Sequence, residues 1–298
     1  MRGVGKHGLA LSMAEWLLCE QPHGGHACGR CPSCHWLAQG GHPDLRIVEP
    51  RVEEGESDKP KRGRRLITVD DVRQATDALA LSSHQGGWRV VLIQPAEAMN
   101  TAAANALLKT LEEPPPRVML ILVSHQPRRL LPTVVSRCHK LAVPRPERQV
   151  AIDWLAGQGL TDAEALLREA GGAPLLALEY ADAQRLAQRE RLLAALATPE
   201  RQDWCELALA MQQSLADVWG WLLRWACDLI ACRAGATVRY FPQYAVQLRT
   251  RAAAVDPARL WGLYHELLGA GRRLQHPLNA QLLLESWLLR YAALEDKP

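Results

Sequence analysis

The sequence predicts a parallel α/β domain followed by an all-α part. Short, nearly continuous apolar runs at 89–93 and 118–123 alternate with helical patterns through the first half, as buried parallel strands do with their crossover helices. Beyond Pro144-Arg145-Pro146 only helical periodicity remains. The 298 residues suffice for two or three domains, with boundaries expected at 1–145, 146–183 and 184–298.

Near the start, Leu9, Met13, Trp16 and Leu17 share one face of a helix. Residues 51–65 are charged, with four acidic residues ahead of a basic run and no apolar period; a solvated loop is expected there and not a DNA-contacting patch. A helix follows from about Thr68, with Asp70 and Asp71 in its first turn, where negative charge suits the dipole. Val69, Val72 and Leu79 give it an apolar side. After the strand at 89–93, Asn100 can cap a helix over 101–113, which Pro114-Pro115-Pro116 ends. A third strand is expected within 134–143. Downstream, a small helical set over 147–181 is interrupted at Gly171-Gly172, a linker is expected at 182–188, and a longer set runs to 294. Its last helix is apolar over much of its circumference, which suits burial against other helices or subunits.

Composition narrows the function. The chain is 48% hydrophobic and 22% charged, as ordinary globular proteins are. No apolar run reaches the roughly 18 residues needed to span a membrane, and the N-terminal segment lacks a signal-peptide cleavage pattern, so a cytoplasmic location is expected. A net charge of +3, from 35 basic and 32 acidic residues, argues against strong nucleic-acid binding by this chain alone. One Phe gives no stacking platform for single strands, and the ten Trp in helical patterns are read as core.

Four of the eight cysteines, Cys19, Cys28, Cys31 and Cys34, fall within 16 residues in the spacing C-x8-C-x2-C-x2-C. Two-residue gaps let neighbouring thiolates converge on one tetrahedral ion, and four thiolates leave no open position, so the expected metal is a structural zinc. A reduced, metal-free loop and a substitute ligand from His23, His26 or His35 are the alternatives on sequence grounds.

Gly3-Val4-Gly5-Lys6 matches the end of a phosphate-binding loop, but His7 stands where that loop needs a hydroxyl for magnesium. At the end of the 89–93 strand, Gln94-Pro95 stands where the acidic metal ligands would be. Glu97 comes three residues late and is read as a surface residue. Gly3, Gly5 and Lys6 therefore mark a degenerate nucleotide site, from which no ATP hydrolysis is expected.

Residues 104–115, Ala-Asn-Ala-Leu-Leu-Lys-Thr-Leu-Glu-Glu-Pro-Pro, resemble the signature of bacterial clamp-loader subunits of the AAA+ class. Ser136-Arg137-Cys138 resembles their shared trans-acting arginine motif, and the cysteine spacing is similar to their zinc module. These matches cover roughly the first 140 residues in order. A lost nucleotide site beside a kept cysteine module and Ser-Arg-Cys motif resembles the delta-prime type, whereas gamma/tau subunits keep an intact site. Pro174 stands where the motor subunits place a phosphate-sensing arginine. The resemblance implies an AAA+ core over 1–145, a helical lid domain over 146–183 and a helical collar over 184–298. It implies a hetero-pentamer with gamma/tau and delta subunits that loads a sliding clamp onto primed DNA within a DNA-directed DNA polymerase holoenzyme, Arg137 reaching the ATP site of a neighbour. It also implies a strand and about two helical turns ahead of the phosphate loop, so the start at Met1 is expected to lie downstream of the true one. An active ATPase of the gamma/tau type is the alternative within the family. A stand-alone zinc-containing nucleic-acid-binding protein is the alternative outside it.

Overall fold

The computed structural model describes residues 2–50, 66–80, 86–271, 274 and 279–295. The chain divides into two compact units, Met1–Arg145 and Pro146–Pro298. The segment 51–65, read above as a solvated loop, lies outside the described residues.

The N-terminal unit is built on three parallel strands in the order β1 (Leu45–Val48), β2 (Arg89–Ile93), β3 (Val118–Leu122). The register places Leu45 beside Val90 and Val90 beside Met119. Because side chains alternate along a strand, the central strand serves two cores. Val91 and Ile93 pack with Val72, Ala103 and Leu107 of α3 (Val69–Ala80) and α4 (Thr101–Glu112). Val90 and Leu92 meet Ala14, Leu18 and Ala10 of α1 (Lys6–Leu18). Val90 to Ile93 are wholly buried, which accounts for a run without polar alternation. Between α1 and β1 lies the short α2 (Pro32–Ala38), and α5 (Pro132–Val135) follows β3. Asn100 caps α4 as its sequence position suggests, its side chain accepting from the Ala103 amide at 2.8 Å.

Three local expectations are corrected. The third strand is not within 134–143. Residues Pro132–Val135 form a helical turn with Pro132 at its first position, where a proline ring fits, and the third strand is Leu45–Val48, too short to stand out as a pattern. Leu9, Met13 and Trp16 do share a face of α1, but that face is exposed, and α1 buries Ala10, Ala14 and Leu18 instead, the two alanines admitting close packing on the sheet. Of the ten Trp, five (Trp16, Trp36, Trp88, Trp154 and Trp261) are exposed.

In the C-terminal unit, α6 (Arg148–Gly157), α7 (Ala163–Glu169) and α8 (Pro174–Glu179) share a small core around Leu155, Leu166 and Leu167. Gly171 and Gly172, both at positive φ, separate α7 from α8. The linker expected at 182–188 is instead the start of α9 (Ala183–Ala197): Asp182 caps it by accepting from the Arg185 amide at 2.8 Å. With α10 (Trp204–Met211), α11 (Leu215–Arg233), α12 (Ala245–Ala254), α13 (Pro257–Ala270) and α14 (Ala280–Ala292), α9 encloses a core that includes Trp221, Trp225, Phe241, Trp287 and Tyr291. Glu169 at the end of α7 is buried and joins the two helical sets, its carboxylate accepting from Arg185, Arg189 and the Trp221 indole, each at 2.9 Å. No described helix is long and apolar enough to cross a membrane.

Candidate functional site

Three sites read from the sequence fall in the N-terminal unit. The four cysteines converge. Cys19 follows the last turn of α1, Cys28 lies in the loop, Cys31 caps α2 and Cys34 sits inside it. Their sulfurs all lie within 4.8 Å of one another, with Cys19–Cys31, Cys28–Cys34 and Cys19–Cys34 separations of 4.0, 3.9 and 3.7 Å. Tetrahedral bonds of about 2.3 Å to zinc set sulfurs about 3.8 Å apart, so the cluster fits such an ion. The four cysteines could hold a metal ion, and their chemistry is compatible with structural zinc. His23 and His26 pair by backbone bonds with each other, and neither is in the cluster. The backbone N–H of Arg30 draws the Cys28 thiol down to about 6, whereas burial pushes Cys34 up to about 12.

The residues that brace this module were not legible beforehand. Ser33 is wholly buried and donates to the Leu18 carbonyl at 2.6 Å. Its single proton thus spent, the hydroxyl accepts from His42 Nε2 at 2.8 Å, while His42 Nδ1 accepts from the Asp44 amide at 3.0 Å. The network therefore fixes the Nε2–H tautomer of a neutral imidazole, and burial lowers the His42 pKa in the same sense. A serine between two cysteines carries no spacing signal of its own.

In the stretch read above as a degenerate nucleotide site, Gly3 and Gly5 take positive φ of 81° and 92°, and α1 starts at Lys6. Glycine adopts such left-handed conformations without a Cβ clash. His7 and Gln94 meet, and Gln94 Nε2 donates to Glu49 Oε1 at 2.6 Å. That bond fixes the amide, so Gln94 Oε1 accepts from His7 Nδ1–H. A chain of imidazole, amide and carboxylate thus links the positions where a hydroxyl and acidic residues would hold magnesium. Glu49, at the end of β1, escaped the sequence reading because β1 did. Glu97 is half-buried, not a free surface group, and both carboxylate oxygens accept from the His125 amide at 3.0 and 3.2 Å. Burial, then the nearby Lys6 charge, lowers the His125 pKa.

Arg137 follows α5 and is exposed. Its Nε donates to Glu112 Oε1 at 2.6 Å, its Nη2 contacts the same oxygen, and its Nη1 donates to the Thr133 carbonyl at 3.0 Å. Ser136 Oγ donates to that carbonyl at 3.0 Å. Cys138 is half-buried, and burial raises its pKa, which favours the inert thiol.

Two family models match the chain. One, described as DNA polymerase III, delta subunit, covers residues 1–147, and the other, described as DNA polymerase III, delta subunit, C terminal, covers residues 183–292. The DNA polymerase III subunit delta′ of Pseudomonas aeruginosa is 39% identical over 240 residues, covering 76% of this chain and 67% of that protein. The DNA polymerase III subunit delta′ of Escherichia coli is 32% identical over 295 residues, covering 97% of this chain and 85% of that protein. The chain belongs to the DNA polymerase III subunit delta′ family. The DNA polymerase III subunit gamma/tau of Mycobacterium bovis, a differently named subunit, is 32% identical over 189 residues, covering 61% of this chain and 31% of that protein. Membership of the delta′ family thus reaches along nearly the whole chain, whereas the likeness to gamma/tau is partial.

Proposed function

We propose that this chain is a clamp-loader subunit that hydrolyses no ATP itself and lends Arg137 to the ATP site of a gamma/tau neighbour. One observation carries the reading. A single unit combines an oriented, exposed arginine in Ser136-Arg137-Cys138 with a nucleotide loop whose metal-ligand positions hold His7 and Gln94 joined to each other. Magnesium takes oxygen ligands, so the His7 imidazole is a poor partner for it, and the one oxygen Gln94 could offer is neutral and already accepts from His7. In phosphoryl transfer, an arginine supplied by another chain stabilises the charge that spreads over the transferred group, and is worth roughly 10³–10⁵ in rate. A guanidinium suits that task because its planar fork matches two phosphate oxygens at once.

In this reading residues 1–145 are the AAA+ core, 146–183 the lid domain and 184–298 the collar through which gamma/tau and delta subunits assemble into a hetero-pentamer. Cys19, Cys28, Cys31 and Cys34 would hold a structural zinc, whose closed coordination contributes to local folding and not to catalysis. Gly3, Gly5 and Lys6 would bind nucleotide weakly at most. The sliding clamp and primed DNA are engaged by the assembled complex, in keeping with a net charge of only +3 on this chain. The purified chain is expected to show no magnesium-dependent ATP hydrolysis. Turnover by the chain alone would make it an ATPase of the gamma/tau type instead. Within the reconstituted complex, R137A should assemble yet lose much of the clamp- and DNA-stimulated hydrolysis.

A further inference from the structure

Resting on that reading of Arg137, we infer that Glu112 is the positioning residue that aims the Arg137 guanidinium at the neighbour's phosphates. A free arginine side chain samples many rotamers, and holding it in one before the partner arrives removes an entropic cost from the reactive complex. Here the fork is held on two sides. The Nε–Nη2 edge rests on one oxygen of Glu112, and Nη1 rests on the Thr133 carbonyl. Of the five N–H groups this leaves one on each terminal nitrogen, and among the described residues the only further acceptor is Ser136 Oγ, at a long 3.5 Å from Nη1, so the end-on edge is open to a ligand. That edge is the one that can meet two phosphate oxygens at once. A carboxylate bound end-on would compete with phosphate; bound side-on, it orients.

The place of Glu112 supports a role beyond helix formation. It is the last residue of α4, where the helix dipole disfavours a carboxylate. Yet it reaches across to α5's end, 25 residues on in sequence. The Arg137 and Glu112 side chains are 35% and 49% exposed, so the pair contributes little to stability, and its orientation is the more consequential property.

The test is a double-mutant cycle in the reconstituted complex, with ATP hydrolysis measured over a range of ATP concentrations. Assembly is checked by size-exclusion chromatography. E112A should slow hydrolysis at the one ATP site that Arg137 serves by about two- to fivefold, the rate equivalent of a solvent-exposed ion pair, with KM for ATP unchanged. E112Q, whose amide oxygen still accepts from Nε, should recover most of the rate. E112A added to R137A should cost nothing further. Should E112A fail to assemble, E112D, one methylene shorter, replaces it and should also slow hydrolysis. A rate raised by E112A would make Glu112 a competitor, and a loss that persists on the R137A background would place its action elsewhere; either overturns the inference. Slow R137A beside unaffected E112A would overturn it while leaving the trans-acting arginine intact. Silent R137A would overturn both.

Discussion

Glu169 offers a quantitative test of how the C-terminal unit is held together. Its carboxylate is buried and takes hydrogen bonds from Arg185, Arg189 and Trp221, each at 2.9 Å, and Arg185 also stacks 3.6 Å over the Tyr180 ring. Glu169→Ala would leave two guanidinium groups, each nine-tenths buried, without their shared counter-charge. Breaking a buried pair from one side costs about 3–5 kcal/mol. Asp217 and Glu190, which bond Arg185 and Arg189 from more exposed positions, hold the expected loss to the lower end, about 3 kcal/mol. At a urea dependence of about 2 kcal/mol per molar, the midpoint should fall by about 1.5 M. The assay is urea unfolding of the full chain followed by tryptophan fluorescence, since Trp221 and Trp225 report the C-terminal core. Replacing Glu169, Arg185 and Arg189 together by apolar residues of similar size should cost far less than Glu169→Ala, because no charge is then stranded. A loss below about 1 kcal/mol for Glu169→Ala, or a triple variant as unstable as the single one, would refute the reasoning.

Further outcomes follow from the other buried polar groups. Ser33→Ala strands the Leu18 carbonyl and the His42 Nε2–H and should destabilise the N-terminal unit by about 1–3 kcal/mol, measured by thermal unfolding. Asp228 accepts from the Arg239, Tyr240 and Phe241 amides, but burial, the larger effect, raises its pKa. A raised folded pKa means that the folded state holds the proton longer than the unfolded state. The stability Asp228 contributes should therefore be greatest below its unfolded pKa of about 4, and shrink as pH rises through the folded value. The stability gap between the wild type and Asp228→Asn should accordingly narrow from acid toward neutral pH; a flat gap would contradict the assignment. Elemental analysis should find one zinc per chain. Stripping it with a chelator should loosen residues 19–34 while leaving the urea transition of the C-terminal unit in place; a metal-free native protein would count against the zinc assignment.

Much of the N-terminal unit was legible because its signals are local. The apolar run at 90–93 had to be a buried strand, Asn100 had to cap, and two-residue gaps brought Cys28, Cys31 and Cys34 together. What escaped depends on partners distant in sequence. Leu45–Val48 is only four residues long and half exposed, so its pairing with β2 fixes it more than its own pattern does. Glu49 and Glu112 look like ordinary surface acids until Gln94 and Arg137 are brought beside them, 45 and 25 residues away. The run at 134–143 failed as a strand because Leu131-Pro132 favours a turn of helix, and apolar content alone does not distinguish the two. On α1, apolar periodicity pointed to Leu9, Met13 and Trp16, whereas close packing on the sheet selected alanines.

The central claim is that Arg137 works on a nucleotide held by another chain. Single-turnover ATP hydrolysis in the reconstituted complex, bound to the clamp and primed DNA, tests it most directly, with wild type compared to R137A. The account predicts that R137A assembles normally and that the fast phase loses the equivalent of one ATP site, that site slowing by roughly 10³-fold or more while the others keep their rate. An unchanged fast phase in a fully assembled R137A complex would contradict it.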